Sequence, residues 1–272
     1  MANKILLSRM TWREVAEAVE QSRPVLIPVG TQENQSQHNI MGMDTIYAAA
    51  VAEKAAEKTG AVVAPAMPFG GSDIFENIPG TITLRPEVQA NLYEDILNSL
   101  ARAGFDHMVF VNYHLGNDWP IEQACRRLKE SAGLIASHVQ IGKVGRDLIK
   151  DLYEGKTGVV SHGADPGTSL MLYLSPGDVR MDLAAKDVLR PYQGLDPSGP
   201  TTFKFKGSAV NMYLNMEDIS AIGGFGDPTQ ANPELGKKVF DRVVDYVVAW
   251  VEKFKEMDTY LEEEEGESRR PT

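Results

Sequence analysis

Apolar runs of strand length alternate with segments of helical period along most of this chain, and that alternation constrains the fold more than any other feature. VLIPVG (25–30), AVVAPAM (61–67) and HMVFVNYH (107–114) are separated by helical patterns from about Thr45 to Lys58 and from Pro86 to Ala103. Continuous apolar runs of this length suit strands buried on both faces, and helical crossovers between them imply parallel pairing. The pattern continues with a helix from Pro120 to Glu130, a strand-like LIASHVQIG (134–142), a short helix near Arg146 to Tyr153 and a helical TSLMLYL (168–174). From Val179 to Gly224 the chain is rich in Pro and Gly and lacks a period, which reads as long loops and short strands near a site. A closing helix from Pro233 to Met257 places Val239, Val243, Val247 and Val251 on one stripe and is expected to cover a sheet face. These elements predict a layered α/β sandwich with no internal repeat. A single domain over 1–258 is expected, followed by an acidic, solvated tail over 259–272 that includes Glu262 to Glu265.

The formal net charge of −11 argues against nucleic acid or an anionic membrane as partner; a small-molecule substrate is expected. No stretch approaches the length of a transmembrane helix, and MANKILLSRMTWREV is charged too early and is apolar too briefly for a signal peptide. The one cysteine, Cys125, excludes an intramolecular disulfide and reads as a small helix filler. A cytoplasmic protein is expected.

In an open parallel sheet, ligands gather where strands end and loops leave. Three segments place polar groups there. GTQENQSQHNIMGMD brings Glu33, Gln35, His38 and Asp44; VFVNYHLGND brings Asn112, His114, Asn117 and Asp118; SHGADPGTS brings His162 and Asp165. Glu33, Asp44 and His114 together suit zinc, manganese or iron with positions left for water and substrate, Asp44 having a second oxygen for a neighbouring ion. Taken singly, His114 also reads as a strand-end histidine satisfied by a carbonyl, and Asp44 as the cap of the helix at Thr45. His162 reads as a ligand or as a general acid/base beside a metal, and the second reading is preferred because its pKa lies near neutrality. His107 and His138 read as structural, and Pro79-Gly80 and Asp227-Pro228 as turns. No phosphate-binding loop and no serine nucleophile elbow occurs, and GFGDP (224–228) follows no strand-to-helix pattern.

Read in order, PVGTQENQSQHNIMGMD, PGTITL (79–84), NYHLGN (112–117), HGADPGTS (162–169) and GDPTQANPELG (226–236) resemble the motifs of the creatininase family. The resemblance runs from about Val25 to Gly236. It implies a three-layer α/β/α fold with a mostly parallel central sheet, a homo-oligomer that in this family is frequently a hexamer, and one or two divalent metals. The chemistry implied is attack of a metal-activated water on a carbonyl carbon. Glu33, Asp44 and His114 carry over as ligands of a first metal.

The second site departs from the family. Gln35 stands where a ligating histidine is expected, and Gly116 where creatininase itself supplies a glutamate. Asp165 stands at the acidic position that relatives with glycine use instead, so Gln35 and Asp165 are the candidate second ligands, with Asp165 also a catalytic candidate beside His162. His38, Asn112, Tyr113 and Asn117 are expected to support the ligands or to face substrate. FGGSDIFENIPG (69–80) carries Ile74 and Phe75 where the family has polar residues, and Gly167 replaces a family glutamate. The expected activity is opening of a cyclic amide. Two alternatives stay open: hydrolytic ring opening of a cyclic ketone such as 3-dehydro-scyllo-inosose, and a catalytically impaired subunit that binds a metabolite or serves in assembly.

Overall fold

The computed structural model describes residues 4–154 and 160–261. Four strands, β1 (Val25–Val29), β2 (Val62–Val63), β3 (Met108–Asn112) and β4 (Ser137–Gln140), pair in parallel in the order β2-β1-β3-β4. Helix α1 (Trp12–Glu20) precedes β1, and the crossovers carry α2 (Met43–Thr59), α3 (Pro86–Ala103) and α4 (Asp118–Ala132). After β4 come α5 (Ile141–Leu148), α6 (Gly167–Leu174), α7 (Met216–Ile219) and the closing α8 (Pro233–Lys255).

Pleat alternation divides the strands between two cores. Leu26, Val109 and Val111 point to the side of α2, α6 and α8, where Tyr47, Val51, Leu170 and the stripe Val239, Val243, Val247 and Val251 are buried. Val25, Ile27, Val29, Met108 and Phe110 point to the other side, against Tyr93 and Leu97 of α3 and Ile121 and Leu128 of α4. This is the three-layer α/β/α arrangement, with the sheet apolar on both faces.

Pro28 sits inside a central strand, where a proline is normally excluded because it cannot donate to the ladder. It is tolerated for a geometric reason. Val25 N donates to His107 O of the β3 side, so alternate nitrogens, Pro28 included, face β2, which has ended at Val63. Pro28 still accepts through its carbonyl, from Met67 N at 2.9 Å. At the end of β1, Gly30 lies so close to the start of α2 that a Cβ there would collide with the Thr45 backbone. That closeness brings the loop after β1 and the first turn of α2 into one site.

Three expectations are corrected. The run 134–142 is a shorter strand because the Gln140 side chain accepts from Lys143 N at 2.7 Å and starts α5 there, so the helix expected near Arg146 begins earlier. Helix α2 begins at Met43, so Asp44 lies within its first turn and is no cap. Residues 259–261, expected in the tail, belong to the fold: Ile135 N donates to Thr259 O and Leu261 N to Gly133 O, and Thr259 is buried. Glu262 to Glu265 lie outside the described residues. The aperiodic stretch after Val179 contains an antiparallel sheet of β5 (Pro197–Gly199), β6 (Thr202–Phe205) and β7 (Ser208–Asn211). With α7 it has its own small core, in which Phe203, Met216 and Ile219 pack with Phe75. Among the described residues, no helix is long and apolar enough to cross a membrane.

Candidate metal centre

The loop after β1, the first turn of α2 and the end of β3 bring Glu33, Asp44 and His114 together, with one ligand atom from each lying within 4.8 Å of the others. The carboxylates are enclosed, at 1% and 2% side-chain exposure, whereas His114 keeps 15%. His114 Nε2 donates to the Gly71 carbonyl at 2.7 Å. In the neutral ring, Nδ1 therefore carries the lone pair, and it faces Asp44 Oδ2 at 3.1 Å and Glu33 Oε1 at 3.3 Å. A lone pair against two carboxylate oxygens is reconciled only by a cation between them or by a proton on the ring.

The titration of the metal-free cluster has the same origin. Burial pulls the His114 pKa down, but Glu33 and the hydrogen bonds to Asp44 and Glu33 outweigh it and hold the imidazolium well above the usual histidine range. Burial and the neighbouring Glu33 charge push the Asp44 carboxyl up to about 6. Burial also raises Glu33, but His114, His162 and Ser72 together hold it below the usual carboxylate range.

Asn112 and Asn117 fix the ligand segment. Asn112 Oδ1 accepts from His114 N at 3.1 Å and from Asn117 Nδ2 at 3.1 Å, while Asn117 Nδ2 also donates to Gly30 O at 3.0 Å. They thus join the ends of β1 and β3 and hold His114. Tyr113 packs edge-on against Tyr47 at 5.0 Å between ring centroids. His38 Nε2 donates to Thr168 Oγ1 at 2.9 Å, because that hydroxyl gives its own proton to Ala164 O; at 2% exposure His38 ties the loop to α6. His107 bonds Asp106 and the Met257 carbonyl, a structural role.

His162 presents Nε2 to the Asn34 carbonyl at 2.8 Å, which leaves Nδ1 toward Glu33 Oε1 at 3.8 Å. Its ring stacks on Phe75 at 4.3 Å. Burial pushes its pKa down against the pull of Glu33 and the Asn34 carbonyl, so the ring is neutral with a free acceptor.

Of the two residues expected at a second site, one lies outside the three-residue group and one within reach of it. Asp165 is not part of the three-residue group: its Oδ1 accepts from Ser169 N at 3.1 Å and from Ser169 Oγ at 2.8 Å, which commits it to the first turn of α6. Gln35 is in the cluster, but as a donor, with Nε2 at 3.2 Å from Glu33 Oε1 and 3.1 Å from Asp44 Oδ1. Sequence reasoning missed Ser72, whose hydroxyl donates to Glu33 Oε2 at 2.8 Å, and the carbonyls of Gly71 and Asn34.

The family model described as creatinine amidohydrolase matches residues 8–251. The chain belongs to the creatininase family. Within that family it is 32% identical over 200 residues to the creatinine amidohydrolase of Pseudomonas putida, covering 67% of this chain and 76% of that one. It is 28% identical over 239 residues to the mycofactocin precursor peptide peptidase of Mycobacterium ulcerans, covering 85% of each. The solved structure named Creatininase Mn shares the fold, with a TM-score of 0.80 at 24% identity over 93% of this chain and 100% of that one. As a creatininase-family member the protein is a metal-dependent hydrolase.

Proposed function

We propose that the protein hydrolyses the C–N bond of a small cyclic amide at a divalent cation held by Glu33, Asp44 and His114. The observation that carries this reading is the His114 Nδ1 lone pair aimed at two buried carboxylates, with its other nitrogen committed to Gly71 O. Such a donor set, one imidazole and two carboxylates, fits zinc, manganese or iron. When bound, the ion polarises a carbonyl and makes water more acidic.

The chain's own residues supply the proton path. His162 Nδ1 is an acceptor within the site, and its neutral form takes a proton from the attacking water. The same nitrogen returns that proton to the departing amine as the C–N bond breaks, so the ring ends as it began. The Asn34 carbonyl fixes the tautomer this requires, and Phe75 holds the ring plane. Asp165, engaged by Ser169, stands outside this path.

A second reading, hydrolysis of a peptide amide, has one observation in its favour: the peptidase relative matches more of this chain than the creatinine amidohydrolase does. Both readings share the site. New amine formed from a panel of cyclic amides and short peptides, and new carboxylate formed from a cyclic ketone, measured with manganese- or zinc-loaded protein, separate them. Turnover of cyclic amides that disappears in Glu33→Ala is expected; turnover of peptides or the ketone alone overturns the cyclic-amide reading.

A further inference from the structure

The cluster around Glu33 brings two carboxylates and one imidazole within reach of one divalent cation, and a neutral amide bridges the two carboxylates. We infer that this protein is mononuclear, with the Gln35 side chain in place of a second metal ion. The inference rests on the reading of Glu33, Asp44 and His114 as ligands.

Charge is the first argument. Two buried carboxylates balance one divalent cation, and a second ion would leave an excess of two positive charges in an enclosed site, a configuration that burial penalises heavily. Among the described residues no further His, Cys, Asp or Glu joins the group.

Donor supply is the second argument. Glu33 Oε2 is taken by the Ser72 hydroxyl, and Ser72 is itself held by Thr31 Oγ1 at 2.6 Å. Asp165 Oδ1 is bound twice by Ser169. The Gln35 amide nitrogen spans Glu33 Oε1 and Asp44 Oδ1, and Glu33 Oε1 also faces Nδ1 of His114 and of His162. The orientation follows from electrostatics, since turning the amide would set its oxygen against two carboxylates.

Space is the third argument. Beside His114, Gly116 packs directly on the loop that carries Gly71, and a Cβ at Gly116 would collide with the Gly71 carbonyl oxygen and approach His114 Nε2 to 2.9 Å. That loop is pinned by Gly71 N donating to Asn117 Oδ1 at 3.2 Å and by the His114 bond. No side chain can enter the cluster from that position.

Metal content after saturation with manganese and removal of free ion, read by mass spectrometry and by electron paramagnetic resonance, tests the inference without an assay. One equivalent per chain with a six-line isolated Mn(II) spectrum is expected. Two equivalents with an exchange-coupled spectrum overturn the mononuclear inference while leaving the ligand reading intact. No bound manganese, and none after the same treatment with zinc, overturns the ligand reading itself. Gln35→Glu replaces the neutral amide by a third carboxylate at the same reach and is expected to bind two equivalents with spectral coupling. A folded Gln35→Glu protein that still binds one equivalent overturns the assignment of Gln35 as the occupant of the second position.

Discussion

At the scale of single residues, the ligand set separates groups that differ by one atom of charge. Asp44 contributes a carboxylate that touches both His114 and Gln35, whereas Gln35 contributes only neutral hydrogen bonds. Asp44→Ala is therefore expected to weaken manganese binding by about 100-fold or more, the scale of losing a charged ligand. Gln35→Ala should retain one equivalent; equal losses in calorimetric titrations of the two variants would contradict this ranking. The pH dependence follows from the same cluster. Binding needs Asp44 ionised and Nδ1 of His114 free, and the metal-free Asp44 carboxyl lies at about 6, with His114 held well above its usual range. Affinity is thus expected to fall as pH drops through 6, and binding near neutrality should release protons from His114. Calorimetry in buffers of different ionisation enthalpy reads that release, and its absence would show that His114 is already unprotonated. Glu33, Asp44 and His114 were legible in the sequence because ligand-type side chains follow apolar strands. The tautomer-setting carbonyls of Gly71 and Asn34 were not, since a backbone oxygen has no signature in residue type. Asp165 was legible only as an acidic residue at a family position; that Ser169, four residues on, bonds its Oδ1 is a structural detail the residue type does not carry.

At the scale of elements, local signals placed the helices and tertiary contacts decided the exceptions. Pro86 at the first helical position marks α3, and its expected and observed bounds coincide at Pro86–Ala103. The Asn232 side chain accepting from Leu235 N at 2.9 Å, followed by Pro233, similarly starts α8. By contrast, LIASHVQIG is apolar enough for a longer strand, and only the Gln140 cap shows where it turns. The stretch after Val179 gave no period because β5 to β7 are short and partly exposed, so their pattern is too brief to register. Its stability rests on a small core, in which Phe203 is fully buried. Phe203→Ala is expected to cost about 3–5 kcal/mol, the usual range for such a truncation, seen as a lower urea midpoint. Manganese affinity should stay within about threefold of wild type, because none of the ligands belongs to that core. A loss of affinity beyond tenfold in a folded variant would show the two regions to be coupled.

For the whole molecule, the proposed ligands come from two places far apart in sequence, Glu33 and Asp44 after β1 and His114 after β3, so a cation bridging them would bind the folded chain and not the unfolded one. Manganese at about 100 times its Kd is expected to add roughly 2.7 kcal/mol to stability. Thermal unfolding with and without chelator measures this. Glu33→Ala should abolish the difference, and a metal-induced shift that survives it would place the ion elsewhere. The layered fold was legible from the alternation of runs because parallel strands buried on both faces leave little else for those residues to do. Asn112 and Asn117 tie the ends of β1 and β3 to each other, whereas the small core of Phe203, Met216 and Ile219 meets the site through Phe75, which stacks on His162. Such a division leaves the residues of the ion cradle outside the small core that packs beside them. It gives a material basis for one scaffold serving relatives named for a creatinine ring and for a precursor peptide.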